Sequence, residues 1–151
     1  MVRSASLIVV ALAVLSKYSL ALSDEKKTQV YGLLFAKAVE CGKEFPISDD
    51  EVLALKNKKI ETDNAKCFAA CTLKKAGALD EAGKLSSAGA VKAIQDTLTD
   101  PADIKNLEDF FAHCSSVNDE AVNDDKGCDR AKLIFDCFRD NADAYGFNLD
   151  F

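Results

Sequence analysis

From about residue 25 to residue 145, apolar side chains recur at intervals of three and four, a spacing that predicts helices and argues against strands. Val30, Leu33, Leu34, Ala38 and Cys41 fall on one face of a first helix, roughly 25–41, which Gly42 and Pro46 end. Ser48-Asp49-Asp50-Glu51 has the form of a capping box and opens a short second helix carrying Val52, Leu53 and Leu55. Asp63 or Asn64 starts a third, with Cys67, Phe68, Cys71 and Leu73, stopped by Gly77. Ser86 or Ser87 begins a fourth with Val91, Ile94 and Leu98. Asp100-Pro101 supplies a cap and a proline at the first helical position for a fifth, whose Ile104, Leu107, Phe110, Phe111 and Cys114 share a broad face. A sixth, about 127–145, carries Cys128, Ala131, Ile134, Phe135, Cys137, Phe138 and Tyr145 and ends at Gly146. Alternation appears only in the last residues, where Phe147, Leu149 and Phe151 would share one side of an extended segment.

The first residues break this pattern. Between Arg3 and Lys17 runs an uninterrupted apolar stretch, Leu7 to Leu15, too short to span a bilayer but suited to the hydrophobic region of a secretion leader. Small residues Ala21 and Ser23 place the expected cut after Ser23, with a cut after Ser16 as the alternative. The expected organisation is therefore a signal peptide, 1–23, and one domain, 24–151, secreted and without stable membrane insertion.

Removing the leader takes away two basic and no acidic side chains; 17 basic and 25 acidic groups remain, a formal charge of −8 on 128 residues. Such a surface repels nucleic acid and anionic membranes. The acid-rich loop Asn118 to Lys126 lacks the alternating oxygen ligands and central glycine of a calcium loop and reads as a solvated connection. A single histidine and the lack of Gly-x-Ser-x-Gly, His-Glu-x-x-His or a phosphate-binding glycine loop leave little for catalysis, so no enzyme activity, metal or cofactor is expected.

Export makes the six cysteines a disulfide framework. Their spacing is Cys41-x25-Cys67-x3-Cys71-x42-Cys114-x13-Cys128-x8-Cys137. Cys128 and Cys137 stand roughly 13 Å apart along one helix and half a turn out of phase, beyond the reach of a bond. Cys67 and Cys71 lie side by side with parallel Cβ vectors, which disfavours a bridge between them. Of the fifteen possible pairings ten survive, and geometry read from the sequence does not choose among them. In all ten, the third and sixth helices are each tied to two other places.

A leader, a mature chain near 130 residues, helices throughout, and x3 and x8 between the second and third and the fifth and sixth cysteines together resemble the insect odorant-binding proteins of the pheromone-binding and general odorant-binding group. The resemblance covers the whole mature chain. It implies an all-α fold, a six-helix disulfide-stapled bundle enclosing an apolar pocket, with bonds Cys41–Cys71, Cys67–Cys128 and Cys114–Cys137. It also implies a carrier of small hydrophobic odorants or pheromones, with an odorant receptor as a candidate partner and a monomer or weak homodimer as the expected state. The same fold could serve as a non-olfactory carrier in saliva, haemolymph or reproductive fluid, or as a protein-binding module. Saposin-like and plant lipid-transfer proteins are also helical and disulfide-bonded, but their cysteine spacings differ.

Counting from the cysteines, the resemblance implies pocket-lining roles for Leu34, Leu73, Phe111 and Phe138. Helical periodicity adds Val91, Ile94, Leu98, Phe110 and Phe135 as candidates. Phe147, Leu149 and Phe151 are candidates for a lid over the pocket, although the few residues after Gly146 are too few for a stable helix. His113, adjacent to Cys114 and beside the Phe110-Phe111 face, is a candidate pH switch because imidazole is the side chain that ordinarily titrates between about pH 5 and 8.

Overall fold

Six α-helices follow one another in a computed structural model that describes residues 22–123 and 126–147. They are α1 (Asp24–Cys41), α2 (Asp49–Lys56), α3 (Asp63–Lys75), α4 (Ser87–Ile94), α5 (Pro101–Cys114) and α6 (Cys128–Asn141). Two 3-10 turns, Ser115–Asp119 and Ala142–Tyr145, follow α5 and α6. The leader up to residue 21, and Leu149 and Phe151 in the tail, lie outside the described residues. No described helix is long and apolar enough to cross a membrane.

Helix starts follow from local polar chemistry. The Ser48 hydroxyl accepts the Glu51 N–H at 3.3 Å while the Glu51 carboxylate accepts the Ser48 N–H at 2.9 Å, which completes the capping box of α2. Thr62 caps α3 by accepting the Ala65 N–H at 3.0 Å, one residue before the expected start. Ser86 caps α4, and Asp100 caps α5 ahead of Pro101. Ser23 accepts the Lys26 N–H at 3.3 Å and caps α1. A cut after Ser23 would remove that cap and leave a free ammonium at the positive end of the helix dipole.

Two helix ends and one bridge differ from the periodicity. The α-helical part of α6 ends at Asn141; residues 142–145 tighten into a 3-10 turn, and Gly146 closes it with φ 73°. Helix α4 ends at Ile94, yet Leu98 beyond it is fully buried, its N–H bonded to the Ile94 carbonyl at 2.8 Å. Leu79 and Leu85 form an isolated antiparallel bridge that the helical pattern did not announce.

Helices α3 and α6 form the central pair, with α1 laid on α3 and α4 packed on α5. Disulfides fasten this arrangement: Cys41–Cys71 joins α1 to α3, Cys67–Cys128 joins α3 to the start of α6, and Cys114–Cys137 joins α5 to α6, with Cα separations of 5.8, 4.4 and 5.9 Å. The main buried cluster draws on α3 to α6 and the Leu79–Leu85 segment, through residues such as Leu79, Leu107, Phe110, Phe111 and Ile134. Among the described residues, α1 and α2 contribute nothing to it. Leu33, expected on the buried face of α1, is 42% exposed, and Val52 and Leu53 of α2 are exposed as well. The reason is that the covered side of α1 centres on Val30, Leu34, Ala38 and Cys41, and Leu33 falls outside it.

Candidate ligand-binding site

Helix α5 brings the aromatic candidates together. Its buried face reads Asp103, Asn106, Leu107, Phe110, Phe111 and Cys114, so polar side chains occupy the first two turns and aromatic rings the last. Phe110 is the hub. Its ring centroid lies 4.8 Å from that of Phe138, 5.2 Å from Phe147, 5.3 Å from Tyr145 and 6.1 Å from Phe111. Phe111 and Phe138 are in turn 5.1 Å apart. These separations are those of offset or edge-on contacts between quadrupolar rings.

Leu73 from α3 and Val91 and Ile94 from α4 are half-buried against the same cluster. Seven of the sequence candidates, Leu73, Val91, Ile94, Phe110, Phe111, Phe138 and Phe147, therefore share one apolar region. Leu34 and Phe135 are half-buried outside it, and Leu98 is buried apart from it. Leu149 and Phe151 lie beyond the described residues.

Periodicity did not single out the polar groups beside the rings. The Asn106 side-chain amide donates to the Tyr145 carbonyl at 2.5 Å, which fastens the turn after α6 to α5 and brings Phe147 onto Phe110. Asn106 stands one turn before Phe110, so a polar residue at i−4 on an apolar face was the signal available in the sequence. Asp103, one turn further back, accepts a hydrogen bond from the Lys26 ammonium of α1 at 2.5 Å. That carboxylate, chiefly through the hydrogen bond, raises the Lys26 pKa above its ordinary value.

His113 is exposed at the edge of this region. Its Nε2 is 3.0 Å from the Asn141 side-chain oxygen, and its ring is 5.9 Å from that of Tyr145. No group of three or more metal-ligating side chains occurs among the described residues. Two open surface clefts are lined mainly by charged side chains, one around Ile60 with Lys59, Lys66, Lys132 and Arg139, the other around Asp63 and Asp129. Neither contains a candidate ligand residue.

The chemistry of the aromatic region is hydrophobic burial with a rim of hydrogen-bonding groups, and nothing in it activates a nucleophile or moves a proton. Comparison with known proteins agrees. Residues 24–141 match the PBP/GOBP family. The chain is 32% identical over 146 residues to general odorant-binding protein 28a of Drosophila melanogaster, covering 95% of this chain and 98% of that one. It is also similar to the solved structure of odorant-binding protein dmelOBP28a from Drosophila melanogaster, with a TM-score of 0.58 and 30% identity over 81% of this chain and 99% of that one. A helical bundle with three disulfides and a sequence match over all six cysteines lead to one conclusion: the chain belongs to the PBP/GOBP family.

Proposed function

We propose that this protein is a secreted, non-catalytic carrier that takes up small hydrophobic odorants or pheromones and conveys them through extracellular fluid to receptors. The observation that carries the reading is the ring cluster centred on Phe110, walled by α3 to α6 and by the turn that ends at Phe147, in a chain of the PBP/GOBP family. Removing apolar ligand surface from water stabilises the complex by about 25 cal/mol per Å². The rings are in mutual contact, so a guest has to part them, and its shape is selected by which rings can turn aside.

Export through a leader ending at Ser23 belongs to the same proposal and is supported by the family match, which begins at residue 24. So do ligand contacts from Leu34, Leu73, Val91, Ile94, Leu98, Phe110, Phe111, Phe135, Phe138 and the tail residues Phe147, Leu149 and Phe151.

The test is titration of the secreted protein with the fluorescent apolar probe N-phenyl-1-naphthylamine, followed by displacement with candidate odorants. Phe138→Ala and the milder Phe138→Leu should weaken probe binding, the alanine variant by about tenfold or more, the factor that corresponds to roughly 1.4 kcal/mol. Unchanged affinity in a folded Phe138→Ala variant removes that residue from the site. A wild-type protein that binds no apolar probe disposes of the carrier reading and favours a protein-binding role.

A further inference from the structure

Helix α1 is fastened at both ends, by bonds of different kinds. At its C-terminal end, Cys41 is covalently joined to Cys71 of α3, and Glu40 lies 3.5 Å from the Lys75 ammonium of the same helix. At its N-terminal end, Lys26 is paired with Asp103 of α5, whose carboxylate side chain is only 11% exposed. Lys26, Val30, Leu34, Lys37 and Cys41 are spaced by four, four, three and four residues and therefore lie on one helix face. The two fastenings and the half-buried apolar side chains of Val30 and Leu34 thus share the side of α1 turned to the molecule. From Lys26 to Cys41 the helix runs roughly 22 Å, so α1 lies as a bar from α5 to α3. No α1 side chain joins the buried cluster, and Leu33, Phe35 and Val39 on its other sides are exposed. Within a cut chain that begins at Asp24, the buried Leu22 and the Ser23 cap are gone, and fastening of the first turn rests more heavily on Lys26.

We propose that α1, which carries the proposed ligand contact Leu34, is a movable outer wall beside the aromatic cluster, hinged at the Cys41–Cys71 bond and latched by the Lys26–Asp103 ion pair, so that Lys26 and Asp103 are positioning residues that set how fast ligand enters and leaves. The contrast between the two ends supplies the direction of motion. A disulfide does not open without a reductant, whereas a partly exposed ion pair breaks and re-forms readily and is weakened by salt. Opening at Lys26 swings Val30 and Leu34 outward and costs no contact of the main cluster, because α1 has none there. Asp103 also lies on the face of α5 that continues through Asn106 to Phe110, so the latch sits at the edge of the aromatic region.

The proposal rests on the carrier reading, and its test separates the two. Asp103→Asn and Lys26→Met, each keeping the bulk of the side chain, are compared with the wild type and with the charge-swapped Lys26→Asp/Asp103→Lys protein. Stopped-flow mixing with N-phenyl-1-naphthylamine should show association and dissociation both about fivefold faster in the single variants, with Kd changed by less than about twofold, since a latch alters the barrier in both directions; fivefold corresponds to the energy of a good exposed ion pair. The swapped pair should restore the wild-type rates. Amide hydrogen exchange, which needs no ligand, should rise in residues 24–34 of the single variants and stay level in α3, α5 and α6. Unchanged exchange in residues 24–34 overturns the latch whatever the probe does. Unchanged rates, or a weakened Kd with unchanged association, make α1 a fixed wall and overturn it too. If the wild type takes up no probe, the carrier reading falls, and exchange alone decides whether α1 is latched.

Discussion

Single residues here work mainly as joints between helices, and Glu51 shows how. Its carboxylate accepts hydrogen bonds from the Thr62 hydroxyl, from the Ser48 N–H and hydroxyl, and from the Asn64 amide, so one side chain caps α2 and ties it to the start of α3. These donors, Thr62 first, hold its pKa below the ordinary carboxylate value. A depressed folded-state pKa contributes stability that is present above the unfolded value and lost as pH falls through the folded one. Stability supplied by Glu51 should thus be complete at neutral pH and fade below about pH 4.3. Glu51→Gln should remove that share of the acid dependence and Glu51→Ala should lower stability at pH 7 as well; urea denaturation of the three proteins at pH 7 and pH 3.5 checks this. His113 is tied to the end of α6. The Asn141 amide donates to the Cys137 carbonyl at 2.8 Å, and its oxygen faces His113 Nε2 at 3.0 Å. His113→Gln tests the switch candidate: a pH profile of probe release flattened between about pH 5 and 8 supports it, and an unchanged profile removes it.

At the level of elements, the turn after α3 and the body of α4 approach each other closely through two glycines. A Cβ built on Gly89 would lie 2.2 Å from the Gly77 carbonyl oxygen, and one built on Gly77, at φ 73°, would lie 2.7 Å from that of Gly89. Gly89 stands inside α4, where alanine should help by up to about 1 kcal/mol on propensity alone. The clash is with backbone and cannot be relieved by a rotamer change, so forcing α3 and α4 apart should cost about 1–3 kcal/mol and outweigh the gain. Gly89→Ala is therefore expected to lower the denaturation midpoint, and a stabilised variant would show that α4 shifts freely. Because α4 carries Val91 and Ile94, the same substitution should also weaken probe binding.

For the whole molecule, the three disulfides join α1, α3, α5 and α6 but not α2 or α4. Their sequence separations of 30, 61 and 23 residues correspond to about 3 to 4 kcal/mol each from restriction of the unfolded chain. Replacing Cys67 and Cys128 together by alanine should be the most destabilising of the three pairwise replacements, since it opens the longest loop and loosens the α3–α6 pair at the centre of the fold. Comparison of denaturant midpoints across the three double variants tests that order. Loss of Cys41–Cys71 should have a further signature beside its cost in stability: with the proposed hinge of α1 gone, ligand exchange should be faster.

Much of this was legible in the chain itself. Helical spacing, Ser48-x-x-Glu51, Asp100-Pro101 and the cysteine intervals act over a few residues, so they announced six helices, most of their starts and the class of fold without reference to distant contacts. The disulfide partners were not readable in that way: ten pairings survived the local geometry, and a family resemblance singled out the three that join these helices. Tertiary structure alone decided which apolar faces are covered. Leu33 and Phe111 are both apolar residues in amphipathic helices, yet one is 42% exposed and the other 7%, since burial depends on what the opposing helix presents. The Lys26–Asp103 pair joins residues 77 apart, and the Asn106–Tyr145 bond joins residues 39 apart. Periodicity reports only which side chains share a face of one helix; the partner that meets that face is set by how the helices are packed.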